Sequence, residues 1–167
     1  MTDIISAPKL AHGDAVALVE LLFFAYRDFV ADPDGILEKL EFGRAHHRVL
    51  HFVGRDPGMN VAQLLDILRI TKQSLARVLK ELIEKGYVYQ KAGEEDRRQR
   101  LLYLTGKGEG LWQELVAPQT RRFQRAVSEM QMEDGTSYHE MFLRLINPEN
   151  RQAVEEWAAR AVRGQQK

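Results

Sequence analysis

The chain of 167 residues contains no cysteine. Disulfide stapling, thiolate metal sites and sensing by thiol oxidation are therefore excluded, because each needs a sulfhydryl. No apolar run approaches the roughly 20 residues needed to span a bilayer. The first residues, MTDIISAPKLAHGDAV, lack the basic start and apolar stretch of a secretory signal, so the expected location is the cytoplasm, with no membrane partner. Net charge is missing too: 24 Lys and Arg balance 24 Asp and Glu. The whole-chain balance thus gives no hint of a nucleic-acid partner.

The distribution of charge does. From Leu68 to Arg100 nine basic residues face five acidic ones, while Met1 to Leu40 holds three bases and seven acids. A basic stripe in a neutral protein is the pattern expected where one face meets phosphates. The length suits one compact domain over 1–167, and a 44% hydrophobic, 29% charged composition is that of a folded chain.

Hydrophobic periodicity predicts a mainly α protein with a small β-wing. A first helix is expected from about Asp14 to Val30. Its apolar residues lie nearly all round, so it must be covered on more than one side, and a second subunit can supply that cover. Asp32-Pro33-Asp34-Gly35 reads as its break. A second helix spans about Gly43 to Val53. Asn60 with Gln63 forms a capping-box pattern for a third, in which Val61, Leu64, Leu65 and Leu68 share one face. Thr71 suits the cap of a fourth helix burying Leu75, Val78, Leu79, Leu82 and Ile83, and Gly86 suits its end. Tyr87–Lys91 and Gln99–Thr105 read as the strands of a hairpin. A long fifth helix, about Lys107 to Met130, turns Leu111, Trp112, Leu115, Phe123, Val127 and Met130 inward and should bend at Pro118. Glu133-Asp134-Gly135 closes it. Ser137 with Glu140 can cap a further helix, and Asn147-Pro148 separates that one from a last.

Two short helices across a tight turn, followed by a hairpin, make a winged helix-turn-helix, here 43–105, whose second helix is the usual reader of the major groove. With the apolar stripe of the fourth helix turned inward, Gln73 and Arg77 point outward, Ser74 and Lys80 flank them, and Lys72 lies in the first turn. Gln pairs with adenine and Arg with guanine, whereas Ser and Lys suit phosphates or single base edges. The hairpin turn carrying Arg97, Arg98 and Arg100 can lay one arginine in an adjacent minor groove. Asp96 is expected to pair with one of these arginines and hold the tip.

The run NVAQLLDILRITKQSLARVLKELIEKGYV from Asn60, continued by YQKAGEEDRRQRLLYLTGKGEGL, closely resembles the MarR (multiple antibiotic resistance regulator) family. The most specific element is the wing motif Asp96-Arg97-Arg98, followed by Leu104-Thr105-Gly106-Lys107-Gly108 at the entry to the long helix. Leu82, Gly86, Tyr87 and Val88 fit as well. The resemblance covers Gly43 to Leu115 at motif level. It implies a homodimer whose terminal helices (1–42 and 106–167) interlock, a palindromic double-stranded DNA operator, and often a small effector bound between the dimerisation and DNA-binding parts. The division at Asn147-Pro148 makes the C-terminal region longer and more broken than the family pattern.

Other readings compete. The winged helix could serve as a protein-binding adaptor without specific DNA binding. His47 and His51 stand one turn apart, as paired metal ligands would, and with His46 they allow a metal-responsive regulator. However, no third and fourth ligand is evident, His139 cannot be placed beside them, and His46 shares the face of Leu50 and Val53 as a core residue would. No metal or cofactor is expected. No nucleophile–base pair appears, so no catalytic residues are assigned. Phe23, Tyr26, His51 and Trp112 are candidates for an effector cleft between the first, second and fifth helices, and serve equally as interface and core aromatics.

Overall fold

The computed structural model describes residues 10–94, 96–130 and 136–163. Its elements run in the order α1 (His12–Glu38), α2 (Arg44–Arg55), α3 (Val61–Leu68), α4 (Lys72–Glu84), β1 (Val88–Ala92), β2 (Arg100–Leu104), α5 (Gly106–Glu129), α6 (Thr136–Leu145) and α7 (Pro148–Arg163). The fold is a winged helix-turn-helix carried between long helices.

The expected break at Asp32-Pro33-Asp34-Gly35 does not occur: α1 runs on to Glu38. Pro33 removes one backbone donor and leaves the carbonyl of Phe29 without its helical partner. Gln119 Nε2 from α5 lies 3.4 Å from that oxygen and donates to it. The proline ring itself is fully buried. A tertiary donor and apolar packing thus offset a local signal to stop. α5 likewise continues through Pro118.

Helix boundaries elsewhere follow side-chain chemistry. Asn60 and Gln63 exchange reciprocal bonds at the start of α3, at 2.8 and 2.9 Å. Thr71 Oγ1 accepts the amide of Ser74 at the start of α4. Gly86, at φ +76°, follows α4 in the left-handed region that favours glycine. The helix expected from Ser137 begins one residue earlier, at Thr136, and Glu140 pairs with Arg144. Pro148 opens α7, where its missing N–H costs nothing. Glu133-Asp134-Gly135 lies outside the described residues.

β1 and β2 pair antiparallel, Val88 opposite Leu104 and Ala92 opposite Arg100. β1 starts one residue after the expected Tyr87, which turns into the core, and β2 stops one before Thr105, which caps α5. The other edge of β2 meets the loop before α3: Leu102 N donates to Met59 O, and Gly58 N to Leu102 O, both at 2.8 Å.

The core joins Leu37 and Phe42, Val49, Leu50 and Val53 of α2, Leu64 and Leu68, the α4 stripe Leu75, Val78, Leu79 and Leu82, the wing bases, and Leu111 and Leu115. It lies entirely in the winged-helix part and the α1 and α5 turns beside it. Ile83 departs from its expected burial and is 37% exposed, on the edge of α4. On α5, Val127 is half-buried and Phe123 and Met130 are exposed rather than inward, because the second half of that helix leaves the core. Residues of α1 from Val16 to Tyr26 are similarly uncovered, Phe23 to 68%.

Candidate nucleic-acid interface

The helix-turn-helix turn is made by Arg69, which takes φ +52° after α3. Its Nε donates to Asp66 O at 2.9 Å and its Nη2 to Asn150 Oδ1 on α7 at 3.4 Å. From this turn α4 projects with Leu75, Val78, Leu79 and Leu82 buried against the core. Lys72, Gln73, Ser74, Arg77 and Lys80 are all exposed. The structure therefore brings the five expected α4 side chains to the outer side of one helix. Thr71 donates to Ser74 Oγ at 2.9 Å, leaving the Ser74 proton available outward. Lys80 lies 3.7 Å from Glu84, an exposed pair that contributes little.

The wing carries Arg97, Arg98 and Arg100, each exposed. Asp96 shapes the tip, but not by the expected ion pair. Its Oδ1 accepts the backbone N–H of Arg98 at 2.9 Å, and its carbonyl accepts Gln99 N at 3.0 Å. Among the described residues it pairs with no guanidinium. The difference matters, because a backbone clamp leaves the arginine side chains unspent. Gly93 closes the turn, where a Cβ would stand 2.7 Å from the carbonyl of Asp96. On the wing's outer face Tyr89 stacks on Tyr103 at 5.4 Å, with Lys91 over both rings. Neither Lys91 nor this pair was singled out in the sequence, although alternation in β1 and β2 places them on one face.

The motif after the wing ties it to α5. Thr105 Oγ1 accepts Gly108 N at 3.0 Å and donates to Gly86 O at 2.7 Å. Any side chain at 108 would place a Cβ 2.0 Å from Tyr87 O. Threonine and glycine at that spacing thus dock the α5 start against the end of α4.

His46 and His47 are buried and His51 half-buried. His46 bonds Glu81 and stacks on Phe42, in keeping with its apolar face. Burial pushes the His47 ring below its ordinary pKa. Burial, then the charges of His47 and Arg55, push His51 down to about 4. No group of three or more His, Asp or Glu able to hold a metal exists among the described residues.

The effector candidates lie on α1, α2 and α5. Phe23 and Tyr26 stand exposed on α1, while Trp112 packs against Gly54 and His51 against Phe52. Three surface hollows lie elsewhere. One of about 740 Å³ is walled by Asp32, Ile36, Pro118 and Arg122, one of about 450 Å³ lies beside α4, and one of about 370 Å³ runs between α1 and α6. None is lined by those four residues. Among the described residues the buried Nε1 atom of Trp112 has no hydrogen-bond partner.

An α4 helix with an exposed polar face, a basic wing and long flanking helices define a winged helix-turn-helix fold. Residues 41–99 match the model of the MarR family. The chain is 50% identical over 108 residues to the HTH-type transcriptional regulator PetP of Rhodobacter capsulatus, a match covering 65% of each chain. The matched part thus spans somewhat less than two thirds of that relative. Among solved structures, a MarR family transcriptional regulator from Silicibacter pomeroyi is similar with a TM-score of 0.60 at 18% identity, over 75% of this chain and 82% of the other. A mutant of the S. aureus protein MepR, bound to an oligodeoxyribonucleotide, has a TM-score of 0.54 at 18% identity, over 77% of this chain and 92% of the other. At these identities the structures speak for the fold. Among the described residues no helix is long and apolar enough to cross a membrane.

Proposed function

We propose that the protein is a DNA-binding transcriptional regulator, acting in the cytoplasm as a homodimer on a palindromic operator, and not an enzyme. The observation that carries this reading is α4: four buried apolar residues on one side, and Lys72, Gln73, Ser74, Arg77 and Lys80 exposed on the other. Gln73 and Arg77 read base edges, Lys72, Ser74 and Lys80 meet phosphates, and of Arg97, Arg98 and Arg100 on the wing one enters the flanking minor groove while the others meet phosphates.

Homodimerisation is supported by the uncovered apolar surface outside the winged-helix part. Val19, Leu22 and Phe23 on α1, Phe123 and Met130 at the end of α5, and Met141, Phe142 and Leu145 on α6 are exposed in the single chain. An apolar surface of this extent marks an interface. Residues 1–42 and 106–167 serve as dimerisation helices, and the two reading helices meet half-sites about one helical turn apart. Regulation is by a small effector that shifts the relative placement of the reading heads, for which differential binding of about 1–3 kcal/mol suffices. Phe23, Tyr26, His51 and Trp112 are brought together, on this view, only when a partner's α1 covers α2 and α5.

The test is recovery of DNA from pooled genomic fragments of the source organism, followed by gel shift at two salt concentrations. Enrichment of a palindrome whose affinity falls steeply with salt is the expected result. No retention even at low salt would refute the proposal and leave the fold to a protein partner.

A further inference from the structure

Arg77 and Glu81 stand four residues apart on α4, a spacing at which a guanidinium and a carboxylate meet on the helix surface. Such a pair would draw Arg77 back along its own helix. Instead, Glu81 is engaged from behind: its Oε2 lies 2.8 Å from His46 Nε2. The other ring nitrogen decides where the proton is. His46 Nδ1 lies 3.1 Å from the backbone nitrogen of Gly43, which can only donate. Nδ1 therefore accepts, and Nε2 carries the hydrogen that Glu81 receives.

This donor is held in place. The imidazole stacks on Phe42 at 4.6 Å with 14° between planes, and Phe42 meets the edge of Tyr87. Lys85 Nζ lies 4.7 Å over the Phe42 ring and donates to Leu40 O at 2.9 Å. His46 is 9% exposed, whereas Arg77 is a long side chain on the surface. A fixed donor loses little entropy on bonding the carboxylate, and a free arginine loses much. Among the described residues no ion pair joins Arg77 to Glu81.

We infer that His46 is a positioning residue for DNA reading: by holding Glu81 against the corner between α1 and α2, it leaves Arg77 free to reach base edges. The inference rests on the proposal that α4 reads DNA, and the experiment separates the two. Full-length wild type, His46→Phe, His46→Phe/Glu81→Gln, Arg77→Ala and His46→Phe/Arg77→Ala are titrated against the operator recovered from the genomic fragments, with a scrambled duplex of equal length beside it. Phe keeps the ring against Phe42 and removes only the polar bonds.

His46→Phe is expected to weaken operator binding about two- to threefold, the competition an exposed i,i+4 ion pair provides, with the scrambled duplex unaffected. Adding Glu81→Gln, which removes the competing charge, restores wild-type affinity. In the Arg77→Ala background His46→Phe changes nothing. An inert His46→Phe, a loss that Glu81→Gln does not repair, or an equal loss without Arg77 would overturn the inference. A wild type that binds no duplex refutes the DNA-reading proposal itself, before any variant is compared, and the inference falls with it.

Discussion

Two glycines of α5, Gly108 and Gly110, should respond oppositely to the same substitution. In a helix, Gly→Ala ordinarily stabilises by about 0.5–1 kcal/mol, because the unfolded chain loses freedom. Around Gly110 nothing lies within 4 Å of an added Cβ, so Gly110→Ala should realise that gain. At Gly108 the same methyl would stand 2.0 Å from Tyr87 O and 3.0 Å from Tyr87 C. Both obstacles are backbone, and Tyr87 O is already held by Thr105 N at 3.0 Å. Relief therefore requires α5 to back away from the wing. Overpacking of this kind costs about 1–3 kcal/mol; at the upper end, less the helix gain, the net is about 2 kcal/mol of destabilisation. For a chain of this size that is a fall in Tm of about 4–8 °C, against a rise of about 1–4 °C for Gly110→Ala. Thermal melts followed by circular dichroism at one protein concentration measure both, since oligomers make Tm concentration-dependent. If Gly108→Ala melts at or above wild type, the close docking of α5 on Tyr87 is not what the glycine serves.

Acid should weaken the fold through His51. Its folded pKa of about 4 lies below the ordinary 6.5, so the unfolded chain binds more protons between those values. The stability this neutral histidine contributes, about 3 kcal/mol in full, is present above pH 6.5 and drains as pH falls toward 4. Urea unfolding at about pH 7.5, 6 and 5 should show that slope, and His51→Gln should reduce it, leaving the share of His47. Arg77→Ala is expected to cost about 1–3 kcal/mol of specific binding, with little change on non-specific DNA. Arg98→Ala should lower affinity for all sequences and reduce the salt slope by about one; unchanged slopes in fluorescence anisotropy titrations would take the wing off the phosphates. Phe23→Glu places a charge in the exposed α1 stripe and should shift sedimentation toward the monomer, leaving the secondary structure of the winged-helix part intact. A dimer of undiminished stability would place the interface elsewhere.

Local chemistry made much of the winged helix legible. Asn60 with Gln63, Thr71, Gly86 and Thr105 act within a few residues of themselves, so their bonds can be read from spacing, and the stripe Leu75, Val78, Leu79, Leu82 orients α4 by periodicity alone. The outward residues of that helix follow from the inward ones, which is why its candidate contacts could be named without coordinates.

What escaped the sequence depends on neighbours distant in the chain. Pro33 does not end α1, because Gln119, 86 positions later, supplies the missing donor. Asp96 bonds a backbone amide rather than a guanidinium, a choice between partners one or two residues away that turn geometry makes. Phe123 and Met130 follow buried Leu111 and Leu115 along α5 and its cap, yet periodicity cannot say where along its length a helix leaves its own core. Glu81 and His46 lie 35 residues apart, each ordinary in its own helix. The sequence alone determined the caps of α3 and α4 and which face of α4 is polar, because these depend on contacts within a few turns. Only the tertiary structure decided which polar atoms compensate one another, because that depends on which helices the shared apolar core brings side by side.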